Sequence, residues 1–444
     1  MTVTSTPCFL ASQNPFKVVM ESTFDILKSR GFIEQVTDGE ALKGLLAKPT
    51  TCYIGFDPTA STLHVGSLVP IMALMHMQKA GHRPIVLVGG GTGLIGDPSG
   101  KTKTREILTR EQVEKNVLEI KKQFARYLDF NDGRTLLLNN ADWLCSLGYI
   151  DFLRDIGCHF SVNRMLTAES YKARLQTGLN FIEFNYMLLQ AYDFLYLNKH
   201  HQCFVQMGGN DQWGNIVAGI DLVRRVEGNE VYGMTFPLII TATGSKMGKT
   251  EEGAIWLDEQ ATSPYNYYQF WINVDDADVV RFLKLFTFLP YEEIESAASL
   301  KGRDLNSVKS VLAFEATKIT HGAQKALDAW KTSTGAFGGR DIDNQLLPSS
   351  TIPRGDVEDD LQGMPTSAVT MSVLEKGISA FELFTDVGLC ASRNEARRLI
   401  NQKGGYVNGK PLSRFDERIN STHLKDGSII LRSGKKKYHQ IVVK

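Results

Sequence analysis

Two short apolar runs constrain the fold of this chain more than any other feature. Thr51-Cys52-Tyr53-Ile54-Gly55-Phe56 reads as a strand, and Pro84-Ile85-Val86-Leu87-Val88-Gly89 reads as a buried parallel strand. Between them the apolar spacing predicts a helix from about residue 64 to Lys79, with Gly81 where a glycine closes a helix. A strand–helix–strand order of this kind joins parallel strands. It predicts an α/β fold built on a doubly wound, Rossmann-like parallel sheet.

The same periodicities organise the rest of the chain. Residues 1–21 read as an N-terminal extension, and residues 22–255 as the α/β domain. Within it, residues 21–48 carry helical spacing at Phe24, Leu27, Leu42, Leu45 and Leu46, and Phe236 to Ile240 is strand-like. Residues 256–335 read as a helical domain. Residues 336–371 contain Pro348, Pro353 and Pro365 and clustered acids at Asp356, Glu358, Asp359 and Asp360, which predicts a linker. Residues 372–444 read as a separate small α+β module. Three domains accord with 444 residues at roughly 150 per domain.

Charge separates these parts. The chain has 49 Lys+Arg and 49 Asp+Glu, so an overall basic protein is excluded. Residues 372–444 nevertheless hold 14 Lys/Arg against 7 Asp/Glu, a net of +7 that leaves −7 for residues 1–371. A compact basic unit on an acidic body points to a polyanion such as RNA. Apolar runs are far shorter than the roughly 18 residues of a membrane span, so no membrane partner is expected. The six cysteines are scattered with no CxxC pair, which excludes a zinc ribbon and predicts reduced thiols in an intracellular protein. No protein-held metal is expected. The first 20 residues show no secretory pattern, but they are Ser/Thr-rich with one Lys and no acid. They are expected to be a frayed extension of a cytoplasmic protein. A mitochondrial or plastid presequence is the alternative.

Two phosphate-binding patterns fail on inspection. Gly91-Thr92-Gly93-Leu94-Ile95-Gly96 matches GxGxxG after a strand, but Asp97-Pro98-Ser99-Gly100 follows and reads as a turn, not a helix. Gly96 to Lys101-Thr102 approaches a P-loop but places three residues between its glycines where four are required.

Two other segments carry chemistry. His64-Val65-Gly66-Ser67 stands at a predicted helix start, where amide N–H groups and the dipole favour an anion. His64 adds a donor, and Gly66 leaves room for a flat ring. Lys246-Met247-Gly248-Lys249-Thr250 forms a cationic, Gly-punctuated loop suited to developing charge on a pyrophosphate. Tyr186, Gln190 and Asp193 fall at i, i+4 and i+7 and so share one helix face.

Together the two segments resemble the HIGH and KMSKS signatures of class I aminoacyl-tRNA synthetases. With Tyr53 to Thr59, Gly93 to Gly100, Phe184 to Asp193, and Gly208 to Asn215, the chain from about residue 22 is similar to the bacterial-type tyrosyl-tRNA synthetase family. The resemblance implies a tyrosine–tRNA ligase. Such an enzyme joins L-tyrosine to ATP, giving tyrosyl-AMP and pyrophosphate, then passes tyrosyl to the 3′ end of tRNA(Tyr). It implies that Tyr53 and Asp193 hold the substrate hydroxyl, and that Asp97, Tyr186 and Gln190 hold the α-amino group. Asp57, Thr59, His64, Gly66, Asp211, Gln212, Lys246 and Lys249 would bind ATP. His64, Ser67, Lys246, Lys249 and Thr250 would act in catalysis, with Lys101 and Arg105 assisting at the phosphates. Mg²⁺ would arrive with ATP. A homodimer is implied, and no DNA partner. Ser67 and Gly248 depart from the commonest forms of the two signatures.

The basic module resembles a small RNA-binding unit also found in a ribosomal protein, over Ser392 to Ile400 and Gly404 to Gly409. Arg393, Arg397 and Arg398 are its candidate RNA contacts. A tryptophan-specific relative, an RNA-binding splicing or regulatory protein of synthetase descent, and a nucleotidyltransferase are the competing readings. Tyr53 with Asp193 argues against the first of these. Intact His64, Lys246 and Lys249 argue against the second.

Overall fold

The computed structural model describes residues 22–99, 108–168, 171–172, 175, 178–242, 244, 247, 249–250, 253–337, 342–354, 364–425, 427–434 and 437–444, with backbone alone at 249, 250, 253, 336 and 337. A six-stranded sheet forms its centre. The strands are β1 (Gln35–Val36), β2 (Thr51–Phe56), β3 (Arg83–Val88), β4 (Leu136–Asn139), β5 (Cys203–Gly209) and β6 (Tyr232–Phe236). Their order is β1-β6-β5-β2-β3-β4, parallel except for β1 against β6. The sheet turns direction between β2 and β5, since β3 and β4 extend one way and β5 and β6 the other. Ligands of such sheets bind in the crevice at the carboxyl ends of the strands flanking that point.

Alternation along the strands explains their apolar character. Cys52, Ile54, Phe56, Val86 and Val88 join one core, while Tyr53, Ile85 and Leu87 join another on the opposite face. The first face is covered by α3 (Leu68–Lys79) and α4 (Arg110–Phe124), and the second by α5 (Phe181–His201) and α6 (Trp213–Val226). A strand buried on both sides has no solvent face on which to place polar residues.

Three local expectations change. Residues 21–48 form two helices, α1 (Thr23–Ser29) and α2 (Gly39–Leu45), with β1 between them. Gly31 turns the chain at φ +82°, which is costly for other residues, and Asp38 caps α2 by accepting from Ala41 N–H at 3.0 Å. The first turn of the helix after His64 is 3₁₀, over Val65–Ser67, before α3 begins. The strand expected over Phe236 to Ile240 ends at Phe236, because Pro237 has no N–H for a ladder.

The helical region contains α7 (Pro264–Ile272), α8 (Val279–Phe286), α9 (Gly302–His321) and α10 (Ala323–Phe337). Trp271, Phe282, Phe286, Leu312 and Trp330 are continuous with the core beneath the sheet. Arg30 ties α1 to this region, donating to the carbonyls of Lys284 at 3.1 Å and Thr287 at 3.0 Å. Much of the expected linker is packed structure. Ile342, Leu347 and Ile352 are buried in the same core, and Glu315 accepts from Ser350 Oγ at 2.7 Å and Thr351 N–H at 3.0 Å. Its acidic cluster, Asp356 to Asp360, lies outside the described residues.

The C-terminal sheet contains β7 (Thr366–Val369), β8 (Gly405–Val407), β9 (Lys410–Pro411), β10 (Ser428–Ser433) and β11 (Lys437–Val443), in the order β9-β8-β10-β11-β7. Pairing of β7 with β11 brings residues 366–369 into the module, ahead of its expected start at 372. Helices α11 (Ala380–Asp386) and α12 (Arg393–Asn401) pack on this sheet around Phe384, Ile400, Ile429 and Ile441. Among the described residues, no helix is long and apolar enough to cross a membrane.

Candidate active site

A cavity of about 490 Å³ opens at the carboxyl ends of β2 and β5, where the sheet changes direction. It is lined by Tyr53, Asp57, Thr59, His64, Gly66, Ser67, Asp97, Tyr186, Gln190, Asp193, Asp211 and Gln212. Twelve of the residues singled out from the sequence are thus brought together from five chain segments. Lys101, Arg105 and Lys246 lie outside the described residues, as do the side chains of Lys249 and Thr250. The backbone of Lys249–Thr250 pairs with Gly253–Ala254 as a short antiparallel hairpin.

At one end of the cavity lie Tyr53 and Asp193. Asp193 projects from α5 and is fully buried, accepting from Asn140 Nδ2 at 2.9 Å and Trp143 Nε1 at 2.7 Å. The Tyr53 hydroxyl is buried and has no hydrogen-bond partner. Burial, then the nearby Asp193 carboxylate, push the Tyr53 phenol well above its usual range, so it stays protonated and able to donate. Burial raises Asp193 to about 7, against the lowering effect of its two donors. A phenol O–H placed here would meet an acceptor in Asp193 and a donor–acceptor in Tyr53.

Asp57, Asp97, Tyr186, Gln190 and Gln212 form the next layer. Tyr186 OH donates to Asp57 Oδ2 at 2.9 Å, and Thr92 Oγ1 donates to Asp57 Oδ1 at 2.9 Å. Asp97 accepts from Ser99 N–H at 2.9 Å and from Gln212 Nε2 at 2.7 Å. Gln190 Oε1 accepts from Asn215 Nδ2 at 2.9 Å. Burial, then the neighbouring Asp57, lift Asp97 to about 6. Two carboxyls, Asp57 and Asp97, converge in this layer, an arrangement that favours an ammonium.

At the other end is the helix start. His64 caps it, with Nδ1 accepting from Gly66 N–H at 2.9 Å. A neutral ring accepting at Nδ1 carries its proton on Nε2, which is the donor an anion needs. Gly66 has a nearer reason than room for a flat ligand. A Cβ there would stand 2.6 Å from His64 Cε1 and 2.8 Å from Nδ1, so the glycine first permits the histidine's own cap.

Asn140 and Trp143 were not legible as site residues. The available signal is the polar pair Asn139-Asn140, which closes the apolar run of β4 at the carboxyl edge of the sheet. Asn140 also accepts from Gly91 N–H at 2.8 Å and donates to Thr92 Oγ1 at 3.0 Å, joining Asp193 to the turn that holds Asp57. Among the described residues, no three His, Cys, Asp or Glu side chains form a metal cage.

The raised Asp193 has a stability consequence. Its protonated form favours folding, so its contribution is full below about pH 4 and is lost as pH rises through about 7. Asp193→Asn removes this titration. Urea unfolding should show the variant gaining roughly 2–3 kcal/mol on the parent between pH 5 and 8. A constant difference across that range would contradict the raised carboxyl.

The α/β sheet, the crevice and the two signature segments together define a class I tRNA synthetase. Residues 46–338 match the family model described as tRNA synthetases class I (W and Y), and residues 356–441 match that of the tyrosine–tRNA ligase SYY-like C-terminal domain. The tyrosine–tRNA ligase of Syntrophus aciditrophicus is 61% identical over 427 residues, covering 96% of this chain and 100% of the relative. That of Desulfosudis oleivorans is 60% identical over 434 residues, covering 95% and 99%. Among solved structures, a C-terminally truncated mitochondrial tyrosyl-tRNA synthetase of Aspergillus nidulans superposes with a TM-score of 0.64 at 31% identity, covering 71% of this chain and 94% of that one. The chain belongs to the tyrosine–tRNA ligase family.

Proposed function

We propose that the cavity at the carboxyl ends of β2 and β5 is where this chain joins tyrosine to AMP before transfer to tRNA. The chain activates L-tyrosine with ATP to tyrosyl-AMP and pyrophosphate, then moves tyrosyl to the 3′ end of tRNA(Tyr). The observation that carries the assignment is the pairing of the unpartnered Tyr53 hydroxyl with buried Asp193 at the far end of a cavity that begins at His64.

In this reading Tyr53 and Asp193 hold the substrate phenol, and Asp97, Tyr186 and Gln190 hold its ammonium. The substrate carboxylate is already ionised, so attack on the α-phosphate needs no general base. Catalysis is then positioning and stabilisation of charge on phosphate oxygens. His64, Gly66 and Ser67 receive the phosphates at the helix start. Lys246, Lys249 and Thr250 close on the pyrophosphate, assisted by Lys101, Arg105 and Thr59. Asp57, Asp211 and Gln212 bind the remainder of the nucleotide. Mg²⁺ enters on the ATP phosphates.

Residues 22–255 carry this chemistry, and residues 256–335 and 372–444 serve the tRNA. Arg393, Arg397 and Arg398 on α12 are exposed. Arg393 pairs with Glu382 at 3.7 Å and Arg397 lies over Phe381 at 4.3 Å, contacts that tie both side chains to α11, and in this reading the three arginines meet RNA phosphates. Exposed apolar side chains at Tyr149, Ile150, Val162, Phe181 and Ile182 support a homodimer. The compartment is the cytoplasm. N-terminal sequencing of the native protein distinguishes this from a cleaved presequence in residues 1–21.

ATP–pyrophosphate exchange without tRNA, run with tyrosine, phenylalanine and tryptophan, tests the assignment. Exchange with tyrosine alone is expected. Exchange with tryptophan would replace the substrate, and none with any of the three from folded protein would favour an RNA-binding protein without catalysis.

A further inference from the structure

Trp256 stands where the two signature segments meet. It lines the cavity, and its indole lies edge-on to the His64 imidazole, with ring centres 6.3 Å apart at 67°. The two residues form an antiparallel bridge. Val65 N–H donates to Ile255 O at 2.9 Å, and Leu257 N–H donates to Leu63 O at 2.8 Å. Trp256 N–H itself donates to Thr262 Oγ1 at 3.0 Å. The bridge leads directly to the lysine hairpin, since Lys249 pairs with Ala254, two residues before Trp256. Inside the loop, Met247 is buried, with its N–H donating to Ile239 O at 2.9 Å.

The physical consequence is a shared reference frame. His64 and the hairpin lie far apart in sequence, and each must meet the same phosphate chain from a different side. A loop anchored at one end only would carry its cations through many orientations. The bridge fixes the hairpin's C-terminal end to the segment that presents His64, while the indole packs against the imidazole. Misplacement of a charge-stabilising group by about 1 Å can cost on the order of 100-fold in rate.

We propose that Trp256 is a positioning residue for the first step, setting the His64 ring and registering the Lys249 hairpin against it. This role rests on the cavity being the site of tyrosyl-adenylate formation, which exchange by the unaltered chain tests separately.

The experiment uses the full chain and measures single-turnover adenylate formation beside equilibrium tyrosine binding. Trp256→Ala should slow the step by roughly 10- to 100-fold while tyrosine affinity stays within about twofold. Trp256→Phe, which keeps an aromatic edge, should recover most of the rate. Adding Lys249→Ala to Trp256→Ala should cost less than the product of the two single effects, since the tryptophan acts through the hairpin. Thr262→Val removes the acceptor of the Trp256 amide without altering the indole. It should slow the step by a smaller factor, so the role remains testable if the alanine variant fails to fold. A wild-type rate in Trp256→Ala or in Thr262→Val would overturn the proposal. So would full independence from Lys249→Ala, or an equal fall in rate and tyrosine affinity that phenylalanine does not relieve.

Discussion

Asp193→Ala is expected to collapse the preference for tyrosine over phenylalanine. In the structure Asp193 is the acceptor beside the Tyr53 hydroxyl, and it is only 2% exposed. A phenol leaving water for this space must find an acceptor, and phenylalanine has nothing to offer one. A hydrogen bond to a charged group contributes roughly 1.5–3 kcal/mol, so the ratio of kcat/KM for the two substrates should fall by about 10- to 100-fold. The fall should come mainly from tyrosine. Truncation also leaves Asn140 Nδ2 and Trp143 Nε1 without their acceptor, so some loss of stability accompanies it. Pyrophosphate exchange with each amino acid, on protein shown to be folded, reads the ratio directly. An unchanged ratio would remove Asp193 from the phenol site.

Lys249→Ala should act on the other half of the reaction. Its ammonium is assigned to the pyrophosphate as charge moves onto it, an interaction stronger in the transition state than in the ground state. Loss of one such donor costs on the order of 10²–10³ in rate. Adenylate formation should slow by about that factor, with tyrosine affinity largely unchanged because the phenol and ammonium contacts are elsewhere. Rapid-quench measurement of the first turnover separates the two quantities. A wild-type rate would show that the hairpin does not serve the leaving group.

The two variants probe opposite ends of one cavity, and their contrast is informative. A residue that reads the substrate changes which amino acid is used. A residue that meets developing charge changes how fast any bound amino acid reacts. The double variant should show nearly additive effects, since no described side chain is shared between the two groups.

Much of the framework was legible from local sequence. The strand–helix–strand order at residues 51–88 and the glycine closing α3 follow from periodicity and backbone chemistry, which act over a few residues. Tyr186, Gln190 and Asp193 were placed on one face by helical geometry alone, and all three line the cavity. The resemblance to the synthetase signatures added the pairing of His64 with the lysine loop.

Other features depended on distance in space. The break between α1 and α2 arises because β1 finds an edge on β6, some 200 residues onward. Packing of Ile342, Leu347 and Ile352 into the main core turns a proline-containing stretch into ordered structure, because burial outweighs a composition that suggests a linker. Asn140 and Trp143 hold Asp193 from a segment that carries no signature of its own.

The division has one physical origin. Hydrophobic period, helix caps and turn glycines are local properties, so the sequence by itself determined the α/β class and the strands of the sheet centre, while the expectation of a phenol at Tyr53 and Asp193 came from the family resemblance. Burial and mutual orientation are not local. Only the tertiary structure decided that Asp193 is buried with two donors and a raised pKa, that Gly66 is required by the His64 cap, and that Trp256 bridges the His64 segment to the Lys249 hairpin.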